Sequence, residues 1–367
     1  MDSIEQIQDA VIVAKRENRQ LSIVGGGSKS FYGREIIGEP LLLSGYSGVI
    51  EYQPTELVIT VKAGTSIEVI NRMLAENNQK LGFEPPVFGP TSTVGGVIAA
   101  GLSGPSRPYG GGVQDYVLGI KLLSGNGEVL NFGGRVIKNV AGFDVSRLMV
   151  GAMGCLGVVL EVSLKVVPIP ETERTVCIVQ PDIADATSMM NVLAGRPLPV
   201  TAAAWFEGVS RIRLSGSEKG VQSALDSVCA DFTQSEVNSN EDSFWQDLQH
   251  FNHSFFKSKD PLYRVSVKPS TGALGDDKDS LVDWGGAIRW YCPRNSNHDS
   301  GEDTHVNDTI NQSVIEAGGH LSVFRNGNRS LEVMAPVVPQ IMKLQKKLKA
   351  MFDPDRIFNP GRMYREL

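Results

Sequence analysis

Four cysteines, no long apolar run and no excess of basic charge set the first limits on this 367-residue chain. Cys155, Cys177, Cys229 and Cys292 stand far apart, with no C-x-x-C pair. A zinc ribbon or an iron–sulfur cluster built from them is therefore not expected; buried, reduced thiols are. No stretch approaches the roughly 18 apolar residues of a membrane span. The opening MDSIEQIQDA is acidic and has no apolar core, unlike a signal peptide. The expected location is cytoplasmic, with any contact to the inner membrane made through partners. Lys and Arg number 35 against 41 Asp and Glu, a net charge of −6, which argues against a nucleic-acid footprint. Histidine is scarce as well, with five in all. His250 and His253 have one-turn helical spacing, but no HExxH or carboxylate cluster completes a metal set, so unpaired surface histidines are the simpler reading. We find no internal repeat.

Glycine, by contrast, is abundant, with 39 residues. The chain is also longer than one ordinary core requires, so two domains are expected. Ile4, Ile7, Val11 and Ala14 recur at helical spacing and predict a helix over residues 3–18, followed by a strand at 21–24. Further strands are expected at 41–45 and 56–64. Thr65 and Glu68 spell a capping box for a helix reaching about residue 78, with Ile67, Ile70, Met73 and Leu74 on its apolar face. YVLGIKLLSGNGEVLNFGG reads as a hairpin turning at Asn126-Gly127. VVLEVSLKVVP alternates, with Val158, Leu160, Val162, Leu164 and Val166 on one face. PIPET, at 168–172, looks like a boundary. Beyond it the glycine loops stop, and TVCIVQ, AAAWFEG, RIRLSGS, YRVSVKP and AIRWYCP read as strands, with helices near 184–193 and 219–230. This predicts a smaller α+β domain with an antiparallel sheet. Residues 238–247 are polar and acidic and read as a surface insertion. Ile341, Leu344, Leu348 and Met351 mark an amphipathic helix near the end, with Pro339 at its start.

The glycines cluster in three loops, each beside a strand. The first, GGGSKS (25–30), is not a P-loop, because Ser28 rather than glycine precedes Lys29 and no helix pattern follows. It is not a dinucleotide fingerprint either: Ser30 occupies the third glycine place. What remains is a strand running into a side-chain-free turn whose backbone N–H groups can converge on anionic oxygens. Residues 88–117 form a second loop rich in glycine and hydroxyls, and residues 137–162 a third. Three such loops suit a long ligand with two phosphates and an aromatic ring system.

The order GGGSK, then PTSTVGG…AAGLSGPSRPYGG…D, then GxxGxLGVVxEV resembles the flavin-binding domain of the vanillyl-alcohol oxidase and para-cresol methylhydroxylase family. The ending FDPDRIFNPGRMY is similar to that family's C-terminal segment. Over its full length the chain resembles the E-type flavin subunits of bacterial glycolate oxidases (glycolate dehydrogenases). The resemblance implies an α+β fold: a two-part FAD-binding domain at 1–170, a smaller α+β cap at 171–335 with an antiparallel sheet, and a C-terminal helix and tail at 336–367 packing back on the FAD domain. It implies that Gly25, Gly26, Gly27, Ser28, Lys29 and Ser30 hold the FAD pyrophosphate. Thr91, Ser92, Thr93, Gly95, Gly96, Gly101, Ser103 and Gly104 would line the pyrophosphate and ribityl chain. Gly154, Gly157 and Val158 would lie against the adenosine half and the ring edge, and Tyr109 with Gly110 beside the ring. Asp115 is equally a turn residue or a ligand contact. Lys138 either aims a cation at the flavin or pairs with Asp144.

All five histidines lie beyond the flavin domain, and Ser28-Lys29 occupies the place where a tethering histidine could sit, so non-covalent FAD is expected. Oxidation of a 2-hydroxy acid needs a cation for the carboxylate and a base for the hydroxyl proton. Arg107, Arg264, Arg289 and Arg325 are candidate cations, and His320 is the candidate base; His320 and Arg325 are the pair expected in a catalytic site. The metal-binding histidines of the longer catalytic relatives are missing around His320. The expected function is thus an FAD subunit of a multi-subunit glycolate dehydrogenase. A paralogous flavin subunit would do most of the substrate chemistry, and an iron–sulfur subunit would carry electrons onward. The alternatives are a self-sufficient FAD-dependent 2-hydroxy-acid oxidoreductase, or an assembly subunit with structural FAD.

Overall fold

Periodicity and turn chemistry place most of the elements of the first half where the chain forms them. The computed structural model describes residues 1–134, 144–232, 235–238, 241–275, 277–293 and 308–367. Two compact units divide the chain. One comprises Met1–Ser103, Gly111–Ile169 and Arg329–Leu367, the other Gly104–Gly110 and Pro170–Asn328. Among the described residues no helix is long and apolar enough to cross a membrane.

In the first unit, α1 (Ile4–Arg16) starts where the Ser3 hydroxyl accepts from the Gln6 N–H, and it buries Ile7, Val11 and Ala14. Their partners include β1 (Leu21–Val24), which pairs in parallel with β2 (Glu39–Leu42). The strand expected at 41–45 therefore begins and ends earlier. Next come β3 (Val49–Gln53), β4 (Val58–Lys62), α2 (Ile67–Ala75) and α3 (Val94–Ala100). The hairpin of β5 (Val117–Leu123) and β6 (Val129–Gly133) turns through Gly127 at φ +79°. With β7 (Val158–Lys165) these strands form an antiparallel sheet in the order β3-β4-β7-β5-β6. β7 serves two cores: Val158 and Leu160 pack with α1, whereas Val162 and Leu164 pack with α2 and α3.

Two local expectations need correction. Ser66, not Thr65, caps α2 by accepting from the Val69 N–H at 3.3 Å. The Thr65 hydroxyl instead ties neighbouring turns together, donating to Lys62 O at 2.7 Å and accepting from the Gly48 N–H at 2.9 Å. Likewise, part of the second glycine loop is helix α3. Thr93 caps it, Gly101 ends it in the left-handed region at φ +64°, and Val94, Val97 and Ile98 are buried.

The second unit is built on an eight-stranded antiparallel sheet. Its strands are β8 (Thr172–Val179), β9 (Val200–Phe206), β10 (Val209–Gly216), β11 (Ser235–Asn238), β12 (Leu262–Ser266), β13 (Ser280–Asp283), β14 (Ile288–Tyr291) and β15 (His320–Arg325), in the order β11-β8-β10-β9-β13-β14-β12-β15. Helices α4 (Ile183–Ala194) and α5 (Glu218–Asp231) bury their apolar sides in its core. The described residues 241–247 of the polar run at 238–247 are not a surface insertion. They enter α6 (Asp242–His250), which buries Phe244, Trp245 and Leu248, and the Trp245 indole donates to Thr175 Oγ1 at 2.8 Å. Three apolar residues at i, i+1 and i+4 suffice to anchor the helix within an acidic composition. His253 is not a surface histidine: it packs edge-on against Phe206 and Phe244 and accepts from the Phe255 N–H. A further helix, α7 (Asp308–Glu316), precedes β15.

The chain returns to the first unit at Arg329 and there forms α8 (Pro339–Phe352). The face it buries contains Lys349 and Phe352. Lys349 Nζ lies 2.8 Å from Asp353 Oδ2 and also donates to Cys155 O at 2.7 Å and Phe358 O at 2.8 Å. Asp353 in turn accepts from the N–H groups of Ile357 and Phe358. Both charges are buried and multiply bonded, the condition under which removing one partner is costly. Lys349→Met is expected to lower the unfolding free energy by about 3–5 kcal/mol, measured by denaturant titration of the purified chain; a loss below about 1 kcal/mol would mean that the pair behaves as a surface one.

Candidate cofactor site

β1 delivers the chain at Val24 into the 25–30 turn, which closes through Ser30 N–H to Gly27 O at 3.1 Å and Tyr32 N–H to Lys29 O at 3.1 Å. Its glycines serve two purposes. A β-carbon on Gly25 would stand 2.3 Å from Thr93 Oγ1, and one on Gly26 would stand 1.5 Å from Thr91 O. These two glycines let the first and second loops touch. Gly27 has φ +69° and meets nothing within 4 Å, while Gly96 meets only Thr93 Oγ1 at 3.3 Å. Those two face open space, where a ligand backbone or phosphate can approach. The loops are further joined by a 2.9 Å hydrogen bond between the Ser28 and Ser92 hydroxyls.

The turn forms one wall of an open cavity. Thr93, Gly96, Ala99 and Ala100 close a second side, Met153 comes from the third loop, and Asn359 and Arg362 come from the tail. Asn359 fixes this arrangement. Its amide donates to Met153 O at 2.6 Å and accepts from the Ile23 N–H at 2.8 Å, and its own N–H reaches Leu21 O at 2.9 Å.

Three cations surround the turn, and two are committed to the backbone. Arg362 donates to Arg34 O and to Ser30 O at 3.2 Å; burial and the adjacent Arg329 push its pKa down to about 10. Arg329 donates to Gly33 O and Arg34 O, both at 2.8 Å. The third is Lys29. Its Nζ is buried with no hydrogen-bond partner and stands 5.8 Å from the Phe88 ring centroid. Desolvation brings its pKa down to about 8. A buried amine of this kind, beside a side-chain-free turn and the hydroxyls of Ser28 and Thr93, fits an anionic ligand.

Of the expected site residues, Gly25 to Ser30, Thr93 and Gly96 meet at this cavity. Thr91, Ser92 and Gly95 stand behind it; a β-carbon on Gly95 would press on Ala63 at 2.8 Å. Gly101 packs on the Gly151 backbone, Gly154 on the Asn359 amide, and Gly157 on Leu122 ahead of Val158 in β7. Ser103 Oγ accepts from the Val113 N–H at 3.0 Å. Asp115 holds a turn by accepting from the Gly112 N–H at 2.8 Å. Gly104, Tyr109 and Gly110 belong to the second unit. There Gly104 O accepts from the Trp284 indole at 3.0 Å, and burial beside Asp283 raises the Tyr109 phenol's pKa. Lys138 lies outside the described residues, as do His298 and His305.

His320 and Arg325 are not brought together. They stand at opposite ends of β15, roughly 16 Å apart by strand rise, and the Arg325 guanidinium donates to Phe256 O. Met153, Asn359 and Arg362 were not singled out from the sequence; the only hint was the tail segment FNPGR.

Residues 1–133 match the family described as FAD binding domain. The chain is 36% identical over 364 residues to the glycolate oxidase subunit GlcE of Escherichia coli (strain K12), covering 99% of this chain and 97% of that protein. It is 32% identical over 166 residues to the glycolate oxidase subunit GlcD of Bacillus subtilis (strain 168), 45% of this chain and 35% of that one. Among solved structures, alkyldihydroxyacetonephosphate synthase superposes with a TM-score of 0.71 over 98% of this chain and 75% of that chain. At 15% identity that likeness is one of fold.

The two kinds of glycine separate experimentally. Gly96→Val is expected to abolish FAD retention while leaving the melting temperature of the FAD-free chain unchanged. Gly26→Val is expected to lower that melting temperature as well, because it forces two loops apart. Equal behaviour of the two variants in differential scanning fluorimetry and flavin absorbance would contradict the assignment. Lys29 generates a pH test. A bound anion returns its amine from about 8 toward the ordinary 10.5, so the charged form is favoured in the complex. FAD affinity should be flat below pH 8 and then fall by up to tenfold per pH unit, about 1.4 kcal/mol, as pH rises between those values. Lys29→Met should bind about tenfold more weakly at pH 7 and lose this slope; fluorescence titration reads both.

Proposed function

The chain belongs to the family of FAD-binding glycolate oxidase subunits, and from that premise we propose that it carries FAD within a multi-subunit dehydrogenase oxidising a small 2-hydroxy acid, glycolate to glyoxylate. Its partners on this reading are a paralogous flavin subunit, which does most of the substrate chemistry, and an iron–sulfur subunit, which takes the electrons onward. The observation that carries the reading is the buried, unpaired Lys29 ammonium at the glycine cradle. Likeness to GlcD over only part of the chain supports a shared flavin-binding half.

Bound FAD supplies hydride acceptance and onward electron transfer. The chain's own residues bind and orient it. Gly27 and Gly96 leave room for close approach, Lys29 balances negative charge, and Ser28 and Thr93 offer hydroxyls. Arg362 and Arg329 hold the carbonyls of residues 30–34, and Asn359 locks the strand to the third loop. We take the FAD to be non-covalent.

One observation favours a second reading, in which the chain oxidises the acid itself. Partial desolvation and the nearby Arg264 guanidinium hold the His320 imidazole below its ordinary pKa, as a general base requires. Arg264 and Arg107 both lie against the Trp284 ring, at 5.2 and 4.5 Å. On this reading Arg264, rather than Arg325, receives the substrate carboxylate.

Anaerobic addition of glycolate to the purified, FAD-loaded chain decides between the two. The subunit reading predicts that the yellow band persists until the other subunits are added. Bleaching of the lone chain, lost in His320→Gln, would establish the second reading instead.

A further inference from the structure

Helix α8 turns an apolar side to solvent. Ile341, Leu344 and Met351 are 44%, 53% and 72% exposed, while its inward face carries Lys349 and Phe352. With Leu348 these residues recur at i, i+3, i+7 and i+10, the spacing of a helix face that receives another element. Leu348 and Gln345 continue the stripe into an open groove whose other wall includes Leu148, Leu156, Met363 and Leu367. Leu148 is itself exposed.

Two further observations say what fits there. Gln345 Oε1 is buried and has no hydrogen-bond partner, so the groove holds an acceptor that an occupant's N–H or O–H would satisfy. The edge of the stripe is basic. Lys346 is paired with Glu366, and Lys349 faces inward. Lys343 and Lys347, one turn apart and exposed, have no ion pair among the described residues. A second copy of the chain would set these lysines against the same lysines across a two-fold contact. An apolar segment bordered by Asp or Glu, with a donor for Gln345, matches both features.

We propose that the exposed stripe of α8, the adjoining groove and Gln345 form the docking face for the paralogous flavin subunit, which meets it with an acidic-rimmed apolar segment. This rests on the reading that the chain works in a complex.

The test co-expresses the full-length chain with the paralogous flavin subunit and the iron–sulfur subunit from the same source, and follows co-elution, light scattering and FAD content. Wild type should co-elute with the flavin subunit. L344E/M351E should elute apart from it while keeping wild-type FAD content, which shows that the chain still folds. K343E/K347E should weaken association at least tenfold and flatten its salt dependence. Variants that co-elute as wild type does would overturn the docking face alone. So would loss in the variants of a self-dimer, or of binding to phosphatidylglycerol vesicles, with the complex intact. Wild type eluting apart from both subunits would overturn the complex reading, and this proposal with it.

Discussion

A single buried ammonium ties the end of the chain to its beginning. Lys349 joins Asp353, the Cys155 carbonyl of the third loop and the Phe358 carbonyl of the tail. Because Asp353 also fixes the N–H groups of Ile357 and Phe358, the tail is held extended beside β1, where Leu21 N–H reaches Ile357 O at 2.7 Å. Only then can Asn359 touch Ile23 and Met153 at once. The cavity at the end of β1 thus takes its shape from a residue more than three hundred positions away, and the cost of an unpaired buried charge keeps that link closed.

The electrostatics of the site follow from which cations are already committed. Arg329 and Arg362 hold carbonyls of the 29–34 segment, so their charge stiffens the turn. Lys29 is held by packing alone, against Phe88, and its depressed pKa is the physical trace of a charge lacking a counterpart. On the proposed reading, the diphosphate of FAD supplies that counterpart. Backbone order and ligand charge are assigned to different side chains, so an FAD-free turn can keep its form while its lysine remains uncompensated.

Much of this was legible in the sequence. Strong periods fixed α1, β1, the hairpin and β7, and the order of three glycine loops pointed to a flavin. Reading failed where composition hid a period. Val94-Gly95-Gly96 looks like loop, yet Thr93 caps a helix there whose Gly95 packs closely on Ala63. The acidic run near 240 conceals Phe244, Trp245 and Leu248. Glycine alone did not say which positions face a ligand: Gly25 and Gly26 serve loop contact, Gly27 and Gly96 open space. Asn359 and Arg362 were invisible as site residues because their roles depend on a chain reversal no local pattern encodes. His320 and Arg325, five residues apart, looked like neighbours, but an extended strand separates them.

The most direct test of the central claim is a crystal structure of the FAD-bound chain. The account predicts the FAD diphosphate in the cavity lined by Gly27, Gly96 and Asn359, bonded to groups of residues 25–30. A diphosphate held by other residues, with this cavity filled only by water, would contradict it.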